Sequence, residues 1–239
     1  MIEIRDGFYT LHTLQTTYAF RVMETGQLEH LYYGRKIAVE DPSVLIEQHS
    51  FAPGNTIAYD QEHTNFTLED MCLETSGYGK GDIREPFVEV IAADGSATTD
   101  FVFESAEKVE GKEPLATLPS SYDETGKVEH LLVTMKDKNH GYTMELHYFV
   151  FEESDVIVRS TKFINTSDEA VKLDRLMSTQ IDFNESGLVV TTFNGHWTKE
   201  MNKYQTTVNI GKFVNSSYTG SSSNRSNPFI MLSHADTSE

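Results

Sequence analysis

Short runs in which apolar and polar residues alternate, or in which β-branched and aromatic residues cluster, recur along most of the chain. They predict strands at 8–11, 18–23, 28–33, 87–92, 99–105, 128–136, 142–151, 156–165, 171–183, 188–193 and 229–233. Turn-forming residues separate them, as at Asp94-Gly95, Thr125-Gly126, His140-Gly141 and Asn165-Thr166-Ser167-Asp168. The runs 142–151 and 156–165 form one expected hairpin. Side chains alternate across a strand, so Tyr142, Met144, Leu146, Tyr148 and Val150 share an apolar face. Thr143, Glu145, His147, Phe149 and Phe151 share a mixed one, and in the second strand Ile157, Arg159, Thr161 and Phe163 fall together. No heptad, long amphipathic helix or exact repeat interrupts the pattern. The expected fold is all-β, a large two-sheet antiparallel sandwich.

Two long stretches resist strand assignment. The first, 41–84, holds Pro42, Pro53-Gly54 and GYGKGD at 77–82; the second, 194–227, holds GHW at 195–197 and SYTGSSSNRSNP at 217–228. Irregular segments of this length are uncommon unless they are functional or pack on a partner, so function is sought there. The Ser/Asn/Gly-rich part of the second, 216–226, also has the composition of a linker. The chain ends on SHADTSE, just after a strand-like run and without a closing element, as expected of a piece of a longer protein.

Composition narrows the choice of partner. The chain has 239 residues, 38% of them hydrophobic, enough to bury a sizeable core. A formal net charge of −18 repels polyanions, which excludes nucleic acid and disfavours anionic membranes, whereas a neutral sugar is indifferent to it. Apolar runs are only a few residues long, far below the roughly 20 that a transmembrane helix needs. The N-terminal stretch has no basic region leading into an apolar one, so a secretory leader is not expected and the expected location is cytoplasmic. The single cysteine, Cys72, allows no intrachain disulfide and no Cys-based zinc site; a small buried hydrophobe is its expected role.

Dinucleotide, P-loop, serine-hydrolase, zincin and EF-hand patterns are absent, and Gly77, Gly79 and Gly81 are expected to serve a tight, backbone-exposed turn. His49, His63, Asp60 and Glu62 flank one loop but lack the tight spacing of metal ligands, so neither metal nor cofactor is expected. Carboxylates abound in any acidic chain, and the separation of roughly 5 Å that a retaining glycosidase needs is not visible in sequence. Glu145 and His147 point in parallel rather than across a sugar ring, which argues against proton shuttling of the mutarotase type. Trp197, the only tryptophan, is suited either to stacking on a pyranose or to anchoring a core or interface.

Five motifs carry a resemblance. HLYYGRKI at 30–37, SFAP at 50–53, GYGKGDIREPFVEV at 77–90, FNGHWTKEMN at 193–202 and NPFIMLS at 227–233 stand in the order found in the N-terminal domain of bacterial family 36 α-galactosidases. The chain resembles most closely the cytoplasmic melibiase-like type of lactic-acid bacteria. The resemblance implies a β-supersandwich, similar to galactose mutarotase, over 1–239. In the parent it is followed by a (β/α)8 barrel bearing the two catalytic aspartates and by a small C-terminal β domain, commonly in a tetramer. Barrel sites lie on loops after parallel strands, and no βαβα pattern occurs here, so the chain is expected to lack the catalytic residues. The resemblance also places segment 47–60 at a subunit contact or at a neighbouring subunit's active-site entrance. Some relatives have an aspartate just before SFAP where this chain has Gln48-His49. The implied entrance or contact candidates are Gln48, His49, Phe51, Asn55, Asp60 and Trp197. The implied partners are the chain's own barrel, further copies in a homo-oligomer, and α-galactosides such as melibiose and raffinose. A free-standing carbohydrate-binding module built on Trp197 is the alternative.

Overall fold

The computed structural model describes residues 1–49, 54, 56–217 and 225–237, and the chain divides into two compact units, Met1–Asp182 and Phe183–Glu239. In the first unit the alternating runs build two four-stranded antiparallel sheets, each in sequential strand order. One consists of β1 (Ile2–Arg5), β2 (Phe8–His12), β3 (Thr16–Val22) and β4 (Leu28–Arg35). After β5 (Val88–Ile91), the other consists of β6 (Phe101–Glu110), β7 (Glu129–Asp137), β8 (Tyr142–Phe151) and β9 (Val156–Asn165). β5 pairs with β10 (Lys172–Leu176) in a two-stranded ribbon.

The hairpin reads as expected. β8 and β9 pair from Tyr142 with Asn165 to Phe151 with Val156, and Tyr142, Met144, Leu146, Tyr148 and Val150 are all buried. Their face meets Leu11, Tyr18, Phe20 and Leu28 of the first sheet, with Phe87, Val88 and Val90 joining the same core. Each such side chain contributes about 1.5–3 kcal/mol through burial, which is what holds the two sheets face to face. A smaller cluster of Met23, Tyr59, Leu68, Met71 and Leu73 lies under the irregular segment between β4 and β5.

In the second unit β11 (Leu188–His196) is central, flanked by β12 (Lys199–Thr207) and β13 (Met231–His234). β12 has no counterpart among the expected strands because all nine of its residues are exposed and carry no apolar alternation; backbone pairing with β11 alone defines it. β1 likewise escaped the pattern. The run 171–183 is strand only to Leu176, after which Gln180 and Asp182 turn to hydrogen-bond the backbone at Ser76 and Leu73.

A buried ionic cluster links the two large sheets. Glu74, fully buried, lies on a segment that runs beside β4 through Glu74 N–H to Leu28 O (3.0 Å) and His30 N–H to Cys72 O (2.9 Å). Its carboxylate accepts from Tyr18 Oη on β3 (2.6 Å) and His30 Nδ1 on β4 (2.8 Å). From the second sheet it accepts from Tyr148 Oη on β8 (2.7 Å) and pairs with Arg159 Nη2 on β9 at 3.0 Å. Burial by itself would raise the Glu74 pKa; the Arg159 charge and the His30 hydrogen bond reverse this and hold it at about 2. Burial raises the pKa of Tyr18 and Tyr148, which keeps both as neutral donors.

Removing one partner leaves an uncompensated charge in the core. Arg159→Met is expected to cost about 3–5 kcal/mol in urea unfolding, and the double change Glu74→Met with Arg159→Met clearly less. Because the folded-state pKa of Glu74 lies below its ordinary 4.5, its stabilisation is complete above that value and is lost as pH falls toward about 2. Glu74→Gln should therefore flatten the stability–pH curve in that acid window alone.

Candidate functional site

The glycine-rich motif at 77–82 sets the shape of the long segment before β5. Gly79, Lys80 and Gly81 take φ of +93°, +58° and +82°, the left-handed region that suits glycine. A Cβ on Gly79 would lie 2.8 Å from Thr98 Cγ2, and one on Gly81 2.8 Å from Ile57 O. The turn is therefore tight, as expected, but it packs on neighbouring chain where an exposed turn was expected. It projects Lys80 over the Tyr59 ring, with Nζ 4.5 Å from the ring centroid and 3.9 Å from Asp100. Lys138 approaches the same ring at 5.0 Å and donates to Tyr59 Oη at 2.6 Å, while Tyr59 Oη donates to Asp100 at 2.8 Å.

Arg84 completes the lock. Its guanidinium donates to Leu68 O (2.7 Å) and Met71 O (2.5 Å), and pairs with Asp82 (2.9 Å) and Asp182 (2.6 Å). A planar fork with five donors can satisfy several carbonyls and carboxylates at once, which a lysine in this position cannot. These side-chain contacts hold the stretch from Tyr59 to Arg84 in place, and the described residues between β4 and β5 otherwise contain two short 3₁₀ turns, Pro42–Leu45 and Leu68–Asp70.

Of the sequence candidates, Gln48 and His49 are exposed, and Phe51 and Asn55, with the whole SFAP motif, lie outside the described residues. Asp60 caps its own turn. Its Oδ1 accepts from the backbone N–H of Glu62 and His63 and from His63 Nδ1, at 2.9, 2.8 and 2.8 Å. Desolvation pushes its pKa up, but these hydrogen bonds outweigh it and leave the group below its ordinary value. Trp197 belongs to the second unit, in the turn between β11 and β12, and is 81% exposed. Among the described residues no group of three or more His, Cys, Asp or Glu is placed to hold a metal ion. Cys72 is half-buried rather than fully buried, and burial, followed by the Asp182 charge, pushes its thiol up to about 11. At neutral pH it is a protonated, unreactive thiol.

Sequence reasoning passed over the Glu74 cluster. The available signal was a charged or polar residue inside an otherwise apolar strand face, Arg159 between Ile157 and Phe163 and His30 in LEHLYY. No helix among the described residues is long and apolar enough to cross a membrane.

Comparison with known proteins adds the context. A family model described as the glycosyl hydrolase family 36 N-terminal domain matches residues 26–239. The bifunctional α-galactosidase/sucrose kinase AgaSK of Mediterraneibacter gnavus is 31% identical over 231 residues, 97% of this chain and 25% of that protein. The crystal structure of an α-galactosidase from Lactobacillus brevis superposes with a TM-score of 0.90 at 33% identity, covering 96% of this chain and 31% of that one. A variant of α-galactosidase AgaA from Geobacillus stearothermophilus, crystallised in complex with raffinose, gives 0.86 at 28% identity, over 96% of this chain and 32% of that one. The chain therefore spans between a quarter and a third of the length of these relatives.

The packed turn has a measurable consequence. Gly79→Ala should destabilise the chain by about 1–3 kcal/mol, through left-handed backbone strain and the clash with Thr98. Gly95→Ala, also left-handed but with nothing within 4 Å of the added Cβ, should cost less in the same thermal or urea unfolding assay.

Proposed function

Because the chain belongs to the glycosyl hydrolase family 36 N-terminal domains, we propose that it is the non-catalytic N-terminal module of an α-galactosidase that hydrolyses terminal α-galactosides. The observation that carries this reading is the match of 26–239 to the family model together with the match of 96–97% of the chain to proteins three to four times longer that are named α-galactosidases. In it, a retaining barrel supplied by the rest of the parent breaks the glycosidic bond. The module supports that barrel, contributes to oligomer contacts and shapes the active-site entrance in the cytoplasm.

The second unit supplies a surface that calls for a cover. Ile210, Phe213, Val214, Phe229 and Ile230 of this unit are each exposed, and exposed apolar side chains of this kind are what a partner covers. A large barrel packed there would bury them.

In this reading segment 47–60 acts by position. Loops reaching a pocket from outside exclude water and narrow it for short oligosaccharides of the melibiose and raffinose type. Gln48, His49, Phe51, Asn55 and Asp60 are the residues assigned to that entrance or to a subunit contact. The exposure of Trp197 favours a second reading, a carbohydrate-binding module, in which the indole stacks on a pyranose.

The isolated chain should release no nitrophenol from a nitrophenyl α-galactoside, while a parent that includes the barrel does; turnover by the chain alone would refute the assignment. In the parent, the double change Gln48→Ala with His49→Ala should alter KM or oligomer dissociation far more than kcat, since no bond-making group is removed. A loss of kcat by orders of magnitude with assembly intact would show that the chemistry is misplaced.

A further inference from the structure

The β6–β9 sheet has a second face, turned away from the core, and over it lies a cavity of about 790 Å³ bounded by the segment between β6 and β7. The sheet supplies Leu132, Glu145, His147, Val158, Ser160 and Lys162; the covering segment adds Pro114 and Leu115. Neither the ionic cluster around Glu74 nor the locked segment before β5 uses the sheet side chains named here.

The polar side of the cavity is organised. His130 Nε2 and His147 Nδ1 stand 3.0 Å apart with their rings stacked at a centroid distance of 5.2 Å. Burial, then the His147 ring, holds the His130 pKa at about 4, so the ring is neutral at pH 7. One of the two facing nitrogens donates and the other accepts. On its other side His147 Nε2 stands 3.7 Å from Glu145 Oε2. Glu145 is held in turn by Lys162 Nζ at 2.9 Å.

This set of groups selects a chemical class. The charged side chains on this face are Glu110, Glu113 and Glu145 against Lys112 and Lys162, the Arg159 charge being taken up by Glu74, so an anion would meet a net negative wall whereas a neutral ligand would not be repelled. A carboxylate acceptor, an imidazole nitrogen and a cationic donor, next to apolar Leu115, Leu132 and Val158, match a ring with hydroxyls on its rim and C–H groups on its face. The volume falls within the roughly 300–1,000 Å³ usual for small-molecule sites. We propose that this cavity binds a neutral pyranose, with Glu145 accepting its hydroxyl protons, Lys162 donating to it and the His147 ring nitrogen hydrogen-bonding a neighbouring hydroxyl. The choice of galactose as first probe rests on the function proposed above; the site itself does not.

The test titrates the 239-residue chain with galactose, glucose and raffinose by calorimetry at pH 7. At least one sugar should saturate with a dissociation constant of order 1 mM, weakened about tenfold or more by His147→Phe and by Glu145→Gln. The phenylalanine keeps the ring stack and the glutamine keeps the shape, and circular dichroism checks that each variant is folded. Trp197→Ala should leave the affinity unchanged. Saturation by none of the three sugars up to about 20 mM, or saturation unaffected in both folded variants, overturns the proposal. A loss seen only with Trp197→Ala overturns it as well and moves the sugar to the β11–β12 turn. Binding of glucose alone still supports the site, and the nitrophenyl galactoside assay of the parent decides the α-galactosidase reading independently.

Discussion

Glu74 carries a charge at the centre of the first unit, and the two large sheets are held around it. Tyr18 and His30 reach it from one sheet, Tyr148 and Arg159 from the other. A buried carboxylate without partners would be forced to protonate or would expel the segment that bears it. With four partners it stays ionised, and it fixes the mutual position of the sheets more narrowly than apolar packing can, since hydrocarbon contacts tolerate sliding and hydrogen bonds do not. The segment bearing Glu74 is thereby tied to β4, and everything attached to that segment inherits a defined place.

What it carries is the locked stretch from Tyr59 to Arg84. The tyrosine ring between Lys80 and Lys138, the left-handed glycine turn and the Arg84 fork replace regular secondary structure with a chain of side-chain contacts. This explains how a segment with almost no helix or strand remains ordered, and it supplies a firm base for residues 47–60. The second unit is built differently. β12 is exposed along its length, and the apolar side chains near β13 face solvent, so its sheet owes more to backbone pairing than to a core of its own. One unit is held by its own core, and the other leaves apolar side chains exposed.

Much of the fold was legible in the chain itself. The strands from β2 to β9, the β8–β9 hairpin and its buried face follow from period-two alternation and turn chemistry. β12 was not legible, because a strand buried on neither face leaves no hydrophobic period. The candidate site was less legible still. Nothing local announced that Asp60 Oδ1 accepts from the Glu62 and His63 backbone and the His63 ring, or that a Cβ on Gly79 or Gly81 would meet neighbouring chain. Local sequence states which residues are present and cannot state which of their hydrogen-bonding groups are already engaged.

The sequence by itself determined that the chain would be β-rich, acidic, free of intrachain disulfides and related through five ordered motifs to family 36 α-galactosidases. These follow from properties that residues have locally: alternation, charge and the identity of short motifs. Only the tertiary structure decided that Glu74 meets Arg159, that Lys80 and Lys138 flank one tyrosine, and that His130 lies beside His147 across β7 and β8. The physical reason is that alternation fixes the face on which a side chain stands, whereas its neighbours are chosen by strand register and by how one sheet is laid on the other. Those choices depend on the sum of many weak contacts far apart in the chain, and no single stretch of sequence contains them.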